Sequence, residues 1–307
     1  MYQDEFILGY QRALNKNWTV GVRGVYRNVG RFIEDMTMDQ ALNTYAKANN
    51  IAGFAAGGND YYVLSNPGQS VTFNVDFGDG KGIRTMSFSP SQLGYPKAQR
   101  KYAGLEFTFE RLYDGKWFMQ GSYTNSYSWG NDEGSVLSDN GQTDAGLTQL
   151  FDHPGLMDHS YGYLANDIRH KFKVFGAYNL TSEFQVGGNL RVESGMPLNA
   201  LGVHPTDPFA AQYGASSFYV NGQPSPRASA GRAPWVEQID LSFKYTPEWG
   251  HKKVSMGLDL FNVLNARKNT EANNVAEQAL GVPNPAYGLP TAFQPSRSGR
   301  ISMSYTY

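Results

Sequence analysis

The chain contains no cysteine, which excludes a disulfide framework, a thiolate zinc site and a thiol nucleophile together. No apolar run approaches the ~18 residues that a membrane helix needs. Charge of one sign is also missing: 26 basic against 27 acidic side chains leave a net −1 over 307 residues. Nucleic acid is therefore not an expected partner, since that requires a basic face or stripe. Met1 to Glu5 hold neither the basic nor the apolar stretch of a secretory signal. With 34 Gly and 15 Pro, the chain stays well below the ~25–30% of low-complexity disorder. Absent too are G-x-S-x-G, H-E-x-x-H, Walker A and dinucleotide-binding patterns, so neither enzymatic activity nor a cofactor is expected. Aromatic residues are abundant instead, with 20 Tyr, 18 Phe and 5 Trp making 14%. A mean hydropathy of −0.48 reads as polar, but a membrane β-barrel alternates apolar with polar residues and also averages low.

Period-2 segments recur along the chain. Phe6, Leu8 and Tyr10 share one face, and after Asn15-Lys16-Asn17 the positions Trp18, Val20, Val22, Gly24 and Tyr26 do the same. Ala103, Leu105, Phe107 and Phe109 precede Tyr113-Asp114-Gly115-Lys116, which carries the Asp-Gly hairpin signal. Trp117, Met119, Gly121 and Tyr123 then alternate, running on to Tyr127 and Trp129. Phe172 to Tyr178 and Phe184 to Val192 flank Thr181-Ser182-Glu183, and Ile239 to Tyr245 and Val254 to Leu260 flank a turn through Pro247. Ile301, Met303, Tyr305 and Tyr307 close the chain. The expectation is nine strands of about the ~9–11 residues of a tilted membrane-crossing strand.

Four connections are short and four are long, the long ones being about 28–97, 130–166, 197–234 and 266–297. Several loops longer than ~12–15 residues are unusual in a compact soluble domain, whereas outer-membrane barrels pair short turns with long extracellular loops. Trp18, Tyr26, Trp117, Trp129 and Tyr178 fall near strand ends, as interfacial aromatic girdles do. The expected fold is all-β: an antiparallel transmembrane β-barrel portion of about nine to eleven strands with long extracellular loops. The competing reading is a soluble carbohydrate-binding sandwich, whose strands also alternate. Val71 to Phe77 and Ile83 to Phe88 flank a Gly-rich turn and form a hairpin, either projecting from the wall or adding two strands to it.

Opposite the apolar positions lie Arg23, Glu106, Lys171, Lys173, Arg191, Asp240, Lys244 and Asp259. In a barrel they point into the lumen. The stretch 130–166 holds Asp132, Glu133, Asp139, Asp144, Asp152 and Asp158 with no Lys or Arg. Asp132, Glu133, Asp139 and Asp144 are weak candidates for Ca²⁺, although the spacing matches no EF-hand and a solvated acidic loop is the default. His153 and His159 lack a helical ligand spacing, and His170 reads as a strand-entry residue.

Several short motifs resemble one family. Leu258-Asp259-Leu260-Phe261-Asn262-Val263-Leu264-Asn265 is similar to the D-x-F-N-x-x-N segment near the end of TonB-dependent outer-membrane receptors. Asp167-Ile168-Arg169-His170 resembles their D-x-R-H strand opening, and Ser194-Gly195-Met196-Pro197 their S-G-x-P. Tyr62 to Gly68 resembles the Oar-like, OmpA-related subgroup, and Tyr305-Thr306-Tyr307 resembles the C-terminal aromatic signal. The resemblance implies a C-terminal part of a plugged barrel of ~22 strands, with signal peptide and plug domain having no counterpart here. It implies outer-membrane lipid, the barrel-assembly machinery, TonB acting through the plug, and a small solute or peptide as partners. Ile301, Met303, Tyr305 and Tyr307 would be the stripe read during assembly. A complete small porin-like or adhesive surface protein is the alternative.

Overall fold

The computed structural model describes residues 1–142, 144–145, 148–251 and 253–306. Its frame is one antiparallel sheet of nine long strands in sequence order. These are β1 (Tyr2–Ala13), β2 (Trp18–Arg31), β3 (Arg100–Arg111), β4 (Trp117–Gly130), β5 (His170–Asn179), β6 (Phe184–Glu193), β7 (Val236–Tyr245), β8 (Val254–Phe261) and β9 (Ser298–Tyr305). A two-residue strand, Gly162–Tyr163, pairs with the end of β4. Among the described residues the other strands form only two-stranded pieces. Two packed sheets are absent from this arrangement, so the sandwich reading fails.

Register carries the alternation across the sheet. Phe107, Tyr123, Phe172 and Val192 sit opposite one another on successive strands. Trp117, Tyr178, Val186, Phe243, Leu258 and Ile301 form a second such row. Directly paired antiparallel residues project from the same face, so these rows build one continuous apolar surface. That surface has no protein layer over it: Leu8 is 84% and Ile301 85% exposed. The sheet is also open, with β1 and β9 each paired on one side only. An apolar face and two unpaired edges are what an arc of a membrane barrel presents before lipid and further strands complete it.

The turns between paired strands are local. Asp114 accepts from the amides of Lys116 and Trp117, and Gly115 takes the left-handed φ of 94° that the hairpin requires. All four long connections lie at the opposite end, spanning 32–99, 131–169, 194–235 and 262–297. Against the expected 28–97, 130–166, 197–234 and 266–297, β2 and β4 run four and one residues further into the loops, whereas β6 and β8 end three and four residues sooner.

The buried hydrophobic core lies in these loops and not in the wall. Helix α1 (Asp39–Ala48) buries Ala41, Leu42 and Ala46. They join Met36, Met38, Val71, Val75, Phe77, Phe88, Phe151 and Met157 in one cluster. The hairpin Val71–Asp76 with Ile83–Phe88 pairs only with itself; it belongs to this core and adds no strands to the wall. Leu42 is fully buried, so Leu42→Ala is expected to cost the loop core about 2–5 kcal/mol. Limited proteolysis should then cut faster within 32–99, while the β-sheet circular dichroism of the wall is unchanged.

Candidate functional site

The polar face is organised by the same register. Arg23, Glu106, Thr124, Lys171 and Glu193 stand opposite one another on successive strands. Below them run Thr108, Ser122, Lys173, Arg191 and Gln238. Asp240 is opposite Asn189, Lys244 opposite Gln185, and Asp259 lies between Ser242 and Arg300. All eight charged positions singled out in the sequence therefore lie on one face. Arg23 pairs with Glu106 at 2.5 Å and Arg300 with Asp259 at 2.8 Å, while Lys171 and Arg191 both reach Glu193. Asp240 accepts from Gln238, Asn189 and the amide of Asn262. Lys173 and Lys244 form no salt bridge among the described residues. Exposed cross-strand pairs of this kind are each worth roughly 0–1 kcal/mol; they set a charge pattern more than they hold the sheet.

The motif residues clamp loops onto the wall. Asp167 is buried, accepts the Ser128 amide at 2.7 Å, and holds both Arg169 and Arg232. One carboxylate thus ties the end of β4, the entry of β5 and the third loop. His170 opens β5, with its Nδ1 2.8 Å from the Tyr123 hydroxyl and its ring stacked on Trp235. Ser194 Oγ accepts the His170 amide. At Gly195 a Cβ would lie 1.7 Å from the Ala233 carbonyl oxygen, so only glycine lets the two loop strands approach. Asn262, buried with φ 48°, donates to the carbonyls of Ala266 and Pro295 where β8 turns into the last loop.

A buried ion pair, Arg227 with Asp139, joins the second and third loops. Asn199 donates to Asp139 and Asn274 to its carbonyl, which brings in the fourth loop. Glu277 accepts from Val203 and Asn221. The four metal candidates do not converge. Asp139 is occupied by Arg227, Asp132 accepts from the Gly134 amide, Glu133 accepts from Ser138 and Asp144 is exposed. Among the described residues no group of three or more His, Cys, Asp or Glu is placed to hold a metal ion. His153 is buried, with Nδ1 3.0 Å from the Thr37 hydroxyl; His159 packs against Tyr219.

No family model matches the chain. It is 27% identical over 270 residues to the TonB-dependent transporter Oar of Myxococcus xanthus, covering 85% of this chain and 21% of that protein. It is also similar to two solved structures. One is the outer-membrane transporter YddB of Escherichia coli, with TM-score 0.49, 13% identity, 99% of this chain and 32% of that one. The other is the ferric enterobactin receptor PfeA of Pseudomonas aeruginosa as its G324V mutant, with TM-score 0.49, 13% identity, 99% and 31%. The chain is related to the TonB-dependent outer-membrane receptors. Its nine-stranded sheet is open, and the chain spans about a fifth of the length of its Oar relative.

Ile301, Met303 and Tyr305 line one face of β9, with Ile301 and Met303 opposite Leu258 and Met256; Tyr307 lies outside the described residues. What sequence reasoning missed is the loop cap and its carboxyl cluster. Burial first, and then the neighbouring Asp132 and Asp35, push the Glu34 carboxyl from near 4.5 up to about 8. Burial raises Asp132 to about 6, against the Gly134 amide, and Asp152 to about 7, against the Tyr213 hydroxyl. The signal for this was spread over segments a hundred residues apart, Glu34 to Thr37 and Asp132 to Asp152.

Each of these acids holds its proton in the folded cap at a pH where the unfolded chain has lost it. Their contribution to stability is therefore present at low pH and lost as pH rises through about 6–8. Thr37 donates its amide to the Asp152 carbonyl across this junction. Its hydrogen exchange, corrected for the intrinsic rate, is expected to accelerate about tenfold or more between pH 6 and pH 8.5, one pKa unit corresponding to a factor of ten. Glu34→Gln should flatten much of that dependence.

Proposed function

We propose that the chain forms one arc of the wall of a TonB-dependent transporter, together with the loops that receive its solute. The observation that supports this reading is a wall with one apolar and one charged face whose four long loops pack into a single cap at one end. On this reading the apolar face meets lipid, the capped end faces outward, and the short turns face the periplasm. Arg23, Glu106, Lys171, Lys173, Arg191, Asp240, Lys244 and Asp259 then line the lumen, where mixed charge binds a plug or borders a solute path. A small solute or peptide is captured by the loops, and TonB acts through the plug domain of the complete receptor of ~22 strands.

The clamps at Asp167, Gly195 and Asn262 have a role in this scheme. They hold the solute-receiving loops to the wall with buried polar bonds, so loop positions are set before a ligand arrives. The edge strand β9 is the part offered to the barrel-assembly machinery. Its main chain supplies pairing, and Ile301, Met303, Tyr305 and Tyr307 supply the side-chain pattern.

The proposal is tested by comparing what cells remove from a complex medium in three strains: parent, a deletion of the gene encoding this chain, and a TonB-deficient strain. At least one solute is expected to be depleted by the parent alone. Equal depletion by parent and deletion strain contradicts the transport reading. Protease added to intact cells should cut within 32–99 and leave the turn 112–116 intact until the outer membrane is opened. The reverse pattern contradicts the orientation.

A further inference from the structure

The polar face of the wall has a hollow midway along its strands, and two unpaired charges of opposite sign border it. The hollow encloses about 340 Å³, with Glu110, Gln120, Ser122, Lys173, Phe175 and Asn189 in its lining. Register fixes how these residues stand. Glu110, Gln120, Phe175 and Asn189 lie opposite one another on successive strands. Lys173, two residues from Phe175, lies opposite Arg191. Two strand spacings of ~4.8 Å and two residues of ~3.3 Å put the Cα atoms of Glu110 and Lys173 about 12 Å apart.

Neither charge is answered within the wall. Glu110 accepts from Gln120 Nε2 at 2.7 Å, but neither Glu110 nor Lys173 forms a salt bridge among the described residues. Lys173 also faces a like charge, because Arg191 directly opposite is an unfavourable cross-strand neighbour. The nearby Glu193 is already shared by Arg191 and Lys171. The Lys173 end of the hollow is therefore short of an anion, and the Glu110 end is short of a cation. Phe175 is 45% exposed on this polar face, with the Phe118 ring edge-on to it at 6.4 Å. Covering these rings with an apolar group is favourable. Gln120 and Ser122, on the strand between the two charges, offer an amide and a hydroxyl.

We infer that this hollow binds a short peptide with free termini and an apolar side chain. Its ammonium group meets Glu110, its carboxylate meets Lys173, and its side chain lies on Phe175, while Gln120 and Ser122 bond its main chain. The length follows from the spacing. Side chains stand roughly upright from a sheet, so an ion pair of about 3 Å at each end leaves roughly 6 Å, close to the span of an extended dipeptide. An organic acid would leave Glu110 unanswered, and an amine would leave Lys173 so. A ligand carrying both charges answers both. The inference names a solute class for the transport reading and rests on it, since on that reading this face lines the lumen.

The test takes the whole protein, as its own cells assemble it, from their membranes in mild detergent and measures binding by equilibrium dialysis. The probes are alanyl-phenylalanine, its N-acetyl form, its C-terminal amide, and dialanine. The free dipeptide is expected to bind saturably, and blocking either end should weaken it about tenfold, the effect of losing one hydrogen bond to a charged group. Glu110→Gln should weaken the free dipeptide by the same factor and leave binding of the N-acetyl form unchanged. Lys173→Gln should do the same and leave binding of the amide unchanged. Phe175→Ala should reduce the preference for alanyl-phenylalanine over dialanine. Equal binding of free and end-blocked peptides by the parent, or no saturable binding, overturns the inference without recourse to any variant. Losses in the Glu110 and Lys173 variants that are equal for every probe also overturn it, because a fixed contact with a plug would give that pattern. These results leave the transport reading intact, since that stands on solute depletion by parent against deletion strain.

Discussion

A single-layer sheet has no second layer against which to bury an apolar face, and this constraint organises the molecule. The rows that include Phe107, Tyr123 and Phe172, or Tyr178, Phe243 and Ile301, are placed by register on one side and left uncovered. In water a contiguous apolar surface of this kind drives association. In a bilayer it is the favourable surface, provided every backbone group is paired along the sheet. Wall strands therefore have to be long, regular and laterally bonded, and the irregular backbone is confined to one end.

That end has its own architecture. The loops possess a hydrophobic core, a helix and hairpins, and they are cross-tied by Arg227 with Asp139 and by the asparagines around that pair. A buried pair of this kind contributes little net stability compared with an apolar substitute, yet losing one partner is costly because a charge is stranded. It therefore favours one arrangement of three loops over its competitors. Asp167, Gly195 and Asn262 make the connection to the wall, so the loop cap and the strands form one mechanical unit. On the proposed reading, loops preset in this way lower the ordering cost of binding a solute.

Much of this was legible in the sequence, for reasons that differ by region. The nine strands were readable because alternation survives in every one of them, and the turns because Asp114-Gly115 and Asn15 to Asn17 are local signals. The charged face followed directly from the same alternation. The loop cap was not legible. Helix α1 is preceded by Met38 at its N-cap, which makes no side-chain cap bond, so its start signal is missing. Its partners Val75, Phe88 and Phe151 lie in other segments. The acidic stretch 130–166 seemed to lack counter-charges because Arg100 and Arg227, which face it, come from outside it. The motif residues carried the resemblance, but their physical work as loop clamps is visible only where Asp167, Arg232 and Gly195 come together.

The central claim is that the two faces of one wall meet two different media. These 307 residues hold no cysteine, so each engineered cysteine is the sole thiol of the stretch, and its labelling is read against the unsubstituted parent. Single cysteines at Phe107, Gln120, Val174, Ser242 and Ile301 would be treated in native membranes with a water-soluble maleimide and with a lipid-confined one. The account predicts that Gln120 and Ser242 positions react with the aqueous reagent only, and that Phe107, Val174 and Ile301 positions react with the lipid reagent only. Aqueous labelling of both sets at equal rates would contradict it.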